Sequence, residues 1–95
     1  MELKSRPDEY DLREPELNSL GHQLLQDRSI KEAIQVFAWN VEAYPKSANV
    51  YDSLAQAYAE AGEKEEAVRN YAKALELNPK NVNAVEKLRK IVEKK

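Results

Sequence analysis

At 95 residues with 42% hydrophobic content, the chain has room for one domain around a single modest core. Its 15 basic and 17 acidic residues nearly cancel, so no strong field favours nucleic acid or anionic lipid, and the lack of cysteine excludes disulfides, thiolate metal sites and a cysteine nucleophile. No apolar run approaches the roughly 18 residues that cross a bilayer, and Met1 to Pro7 lacks the apolar stretch of a signal peptide, so a soluble and by default cytoplasmic chain is expected.

Residues 1–13 are read as an extended N-terminal arm. Leu17, Leu20 and Leu24 recur at steps of three and four and predict a first helix over about 15–27, closed by Asp27-Arg28-Ser29. Ile30, Ala33, Ile34, Phe37, Val41 and Tyr44 predict a second over about 30–43, which Pro45 cannot continue. A third helix is placed over about 48–61 with Ser47 or Asn49 as its N-cap, and a fourth over about 64–77 between Gly62 and Pro79. Asn81 or Asn83 caps a fifth over about 82–94.

These elements repeat. Residues 14–47 and 48–81 align without a gap at an offset of 34, with eight identities: Ser19/Ser53, Leu20/Leu54, Glu32/Glu66, Ala33/Ala67, Ala38/Ala72, Glu42/Glu76, Pro45/Pro79 and Lys46/Lys80. Leu17/Tyr51, Ile34/Val68 and Phe37/Tyr71 are matched in size, and Val85 and Leu88 begin a third unit in the places of Tyr51 and Leu54. The reading is all-α: repeat one over 14–47, repeat two over 48–81 and a capping helix over 82–95. Gly21, Ala33, Ala55 and Ala67 are small enough for close helix approach, and Leu20, Leu54, Phe37 and Tyr71 are expected to fill the space between neighbouring helix pairs.

Tyr51-x2-Leu54-Ala55-x2-Tyr58, followed by Gly62, Ala67-x3-Tyr71, Ala74 and Pro79, resembles the tetratricopeptide repeat. Leu17-x2-Leu20-Gly21-x2-Leu24 with Ala33-x3-Phe37 and Pro45 is a looser copy. It departs at Arg28, where the family usually has glycine, and at Asn40, where it usually has alanine, so a looser first turn and first helix contact are expected. The stretch from Glu16 to Pro45 is also similar to repeat segments that follow the catalytic domain in some bacterial serine hydrolases, which implies an accessory domain whose chemistry lies elsewhere.

The resemblance implies an α-solenoid that binds a protein or peptide on the concave face of each unit's first helix, where Asn18, His22, Asp52, Gln56, Glu60, Asn83, Glu86 and Lys90 fall. Members that clamp the C-terminal carboxylate of heat-shock chaperones use cationic and amide side chains there. Asp52 and Glu86 put carboxylates where cations are needed, so chaperone-tail binding is not expected. A solvated face with no ligand is the plain alternative for the same residues.

A second surface is marked by Val36, Trp39 and Ala43 beside Ala38, where the matching Asn70 and Lys73 are polar. Either Leu3, Tyr10 or Leu12 of the arm covers it, or it is a contact surface for another protein or a second copy. Ala38 and Ala72 stand where long polar side chains are more usual, a mark that natural variation and redesign for self-association would leave alike. Catalysis is not expected, since there is one histidine, no cysteine and no glycine-rich phosphate loop. No cofactor is expected, and a metal site would need His22 to borrow Asp52 or Glu60. The basic run Lys87, Arg89, Lys90, Lys94 and Lys95 is read as complementing the dipole of the last helix rather than as a nucleic-acid site.

Overall fold

The apolar steps of three and four become helices in the computed structural model, which describes residues 13–93. They are α1 (Glu14–Gln26), α2 (Ile30–Ala43), α3 (Ala48–Glu60), α4 (Lys64–Leu77) and α5 (Val82–Glu93), with no strand among the described residues. Apart from Arg13, the arm lies outside them.

α1 packs on α2 and α3 on α4 as helical hairpins, and a shift of 34 residues carries the backbone hydrogen bonds of one onto the other. At the first turn Arg28 N donates to Leu25 O at 3.0 Å and Ser29 N to Leu24 O at 2.8 Å. At the second, Gly62 N donates to Ala59 O at 3.1 Å and Glu63 N to Tyr58 O at 2.9 Å. Each pair is the crossed closure of a Schellman motif, whose central residue is left-handed. Gly62 adopts φ 84° there, and Arg28 adopts φ 66°. The first turn is therefore not looser than the second. Arg28 holds the same geometry with a side chain that disfavours it.

The core shows why one hairpin does not suffice. Leu25, Ala33, Phe37, Leu54 and Ala57 form one buried cluster, drawn from α1, α2 and α3. Ala55, Ala67, Tyr71 and Ala84 form another, drawn from α3, α4 and α5. Each hairpin thus completes its apolar face only against the helix that follows. Leu54 behaves as expected, while Leu20 is corrected: it is 44% exposed, because it occupies on α1 the place that Leu54 fills against the preceding hairpin, and no described helix precedes α1.

Small residues set the helix spacing. A Cβ added to Gly21 would fall 2.7 Å from Phe37 Cδ1 and closer still to Cε1, so the Phe37 ring occupies the volume that any other residue would need. Asn40 is fully buried, and its Nδ2 donates to Glu14 O at 3.1 Å while its Oδ1 has no partner among the described residues. Ser47 stands at the N-cap of α3 as expected, but its hydroxyl donates to Glu14 Oε2 at 2.8 Å instead of capping. Asn81 does cap α5, accepting Ala84 N at 3.1 Å.

Candidate functional site

The first helices α1, α3 and α5 present one polar row of side chains each. Equivalent places on the three helices hold Asn18, Asp52 and Glu86, and one turn further on His22, Gln56 and Lys90. Glu60 extends the row on α3, and Asn83 opens it on α5. Asn18, His22, Asp52 and Gln56 are half-buried, whereas Glu60, Asn83, Glu86 and Lys90 are exposed.

The floor of this face is ordered by hydrogen bonds that cross between units. Ser53 Oγ donates to Asn18 Oδ1, and His22 Nε2 lies 3.4 Å from the same Oγ. The His22 ring meets the Phe37 ring edge-on, centroids 5.1 Å apart. Further along, Asn81 Nδ2 donates to Asp52 Oδ2 at 3.4 Å. Ser53 and Asn81 were not among the expected site residues, although the Ser19/Ser53 identity marked the first and Asn81 was read as a helix cap.

Tyr71 rises between these helices from α4. It is 1% exposed, its hydroxyl makes no hydrogen bond among the described residues, and its pKa is pushed from an ordinary 10.0 up to about 12. Burial is the largest cause, with the charges of Asp52 and then Glu60 adding to it. The phenol therefore sits within the field of both carboxylates. Among the described residues ion pairs form only on the outer helix α4, Arg69 with Glu66 and Lys73 with Glu76, each at 3.4 Å. Asp52, Glu60 and Glu86 form no ion pair among the described residues.

The second expected surface is only partly a surface. Val36 is corrected: it is 6% exposed, because α2 buries the stripe Ala33, Val36, Phe37 and Asn40 at steps of three and four. Ala38, Trp39 and Ala43 are half-buried and Ala72 is exposed. The expected cover by Leu3, Tyr10 or Leu12 lies outside the described residues. Ala72 lines a shallow outer depression with Tyr51, Arg69, Asn70, Lys73 and Glu76, over which Lys73 Nζ stands 6.0 Å from the Tyr51 ring centroid. No group of three metal-ligating side chains converges among the described residues, and no helix there is long and apolar enough to cross a membrane.

Residues 48–81 match the tetratricopeptide repeat family. Among solved structures, the chain is similar to the first tetratricopeptide domain of Spaghetti (RPAP3) bound to the HSP90 peptide SRMEEVD, at 21% identity and a TM-score of 0.51, over 85% of this chain and 91% of that one. No curated protein matches the chain. Residues 48–81 thus carry the tetratricopeptide repeat signature, and the described residues share the fold of that solved domain, two helical hairpins and a further helix.

Proposed function

We propose that this domain is a non-catalytic interaction module that holds an extended peptide or protein segment along the face of α1, α3 and α5, contacted by Asn18, His22, Asp52, Gln56, Glu60, Asn83 and Lys90. The observation that carries this reading is the continuous polar face, whose floor is tied across the units by Ser53 to Asn18 and by Asn81 to Asp52. A face preordered in this way loses little side-chain entropy when a ligand docks. The role involves no reaction step. Among the described residues Ser53 is the one hydroxyl hydrogen-bonded near the lone histidine, and it donates its proton to Asn18.

The similar solved domain is recorded with a peptide that carries three acidic residues and one arginine. Asp52, Glu60 and Glu86 oppose such a ligand, so this face selects something other than an acidic tail. Selection of a random peptide library on the full chain tests the site. Binding of the enriched peptides is expected to fall in Gln56→Ala and Asn83→Ala and to survive Ala72→Arg; loss in Ala72→Arg alone would move the site to the outer face. Self-association through Ala38, Trp39 and Ala72 is the second reading, supported by the half-exposed tryptophan. A dilution series by ultracentrifugation that stays monomeric would remove it.

A further inference from the structure

We infer that the outer edge of the first hairpin, at Leu17, Val36, Ala38 and Trp39, is a docking surface whose occupant is the chain's own N-terminal segment, residues 1–12. This edge shares no residue with the polar face proposed above as the peptide groove. The second hairpin is its internal control. There Tyr51, Asn70, Ala72 and Lys73 line an open depression. Tyr51 Oη at its edge donates to Pro45 O at 2.9 Å, just past the end of α2, so the depression looks back toward the preceding hairpin. With that neighbour in place, Tyr51 and Asn70 are half-buried and Ala72 and Lys73 are exposed.

A shift of 34 residues carries these four onto Leu17, Val36, Ala38 and Trp39, on a hairpin closed by the same turn hydrogen bonds. No described helix precedes α1, so the first set should be the more open one, as Leu20 is. The reverse holds. Leu17 is 1% and Val36 6% exposed, and Ala38 and Trp39 are half-buried. Side-chain type does not account for the difference, because Ala38 and Ala72 are the same residue at the same place. Further chain must cover this edge, and outside residues 13–93 there are only 1–12 and the two that follow α5 at the other end of the stack. Reach fits the N-terminal segment. It joins α1 at Arg13, and Asn40 Nδ2 donates to Glu14 O, so it starts beside Trp39 and one turn from Val36. Its 12 residues reach at most about 40 Å, against about 21 Å for the 14 residues of α2. Tyr10 and Leu12, two apart and hence on one face of an extended segment, are its apolar pair nearest that end.

The chain has no cysteine, so a spin label on Ser5→Cys reports from one place in the full chain. Docked along α2, it is expected to broaden the amide signals from Ile30 to Val36 and to spare those of α5. Broadening confined to the start of α1, where the segment is tethered, would overturn the inference. Placing the spin label and the nitrogen-15 label on different copies in a mixture should abolish the effect. Broadening of α2 that persists in the mixture would make a second copy the occupant and would also overturn it. Tyr10→Ser combined with Leu12→Ser should shift the emission of Trp39, the one tryptophan, to the red with the helical circular dichroism unchanged. Emission identical to the parent would contradict the proposal.

Discussion

The two hairpins reach one geometry by different means. In the second, Gly62 takes the left-handed turn position and Ala74 the buried contact of α4; in the first, Arg28 and Asn40 stand at those places. Their turn hydrogen bonds nonetheless coincide after a shift of 34 residues, and so do Tyr44 N to Asn40 O and Asn78 N to Ala74 O, both 2.9 Å. Packing against the next helix, rather than local preference, thus sets the shape of the first hairpin. Gly21 and Phe37 show the same principle in the core, since the ring sits where Ala55 keeps a methyl group in the second unit.

Substitutions at the matched positions sharpen this contrast. The largest effect belongs to Phe37→Ala, which should cost about 3–5 kcal/mol by chemical denaturation, since that ring joins α1, α2 and α3. A loss below about 1 kcal/mol would show that the first hairpin does not depend on its ring. Gly21→Ala should cost about 1–2 kcal/mol net, because overpacking against Phe37 outweighs the better helix propensity of alanine. Adding Phe37→Leu should recover part of that loss. At the turns, Arg28→Gly should gain about 0.5–1 kcal/mol and Gly62→Ala lose a similar amount, opposite signs at equivalent positions. Equal signs would mean that the two turns differ in solution.

Tyr71 gives a contrast with Phe37 in pH dependence. Its folded pKa is raised from 10.0 to about 12, so the stability it contributes is complete below pH 10 and is lost as pH rises through about 12. Tyr71→Phe should therefore leave the melting temperature at pH 7 nearly unchanged and reduce the alkaline loss between pH 10 and 12. An identical alkaline profile in the variant would place the phenol in water.

The helices were legible because apolar spacing alone reports a buried stripe, and the small residues at 21, 33, 55 and 67 reported close approach. Leu20 was misplaced because spacing names a face without saying whether a neighbour covers it. Val36 was read as surface from the polarity of Asn70, yet it borders Phe37 on the stripe of α2 that packs inward. The ties from Asn40 and Ser47 to Glu14 span 26 and 33 residues, and no local pattern announces a partner that distant. Tyr71 was legible as a core ring, but the influence of Asp52 and Glu60 on its phenol arises only when α3 and α4 are packed together.

The groove is continuous only if both hairpins contribute to it. Amide chemical-shift mapping of the labelled chain with a library-selected peptide tests this most directly. Shifts are predicted along Asn18 to His22 on α1 together with Asp52 to Glu60 on α3. Shifts confined to one hairpin, or gathered around Ala38, Trp39 and Ala72 on the outer helices, would contradict it.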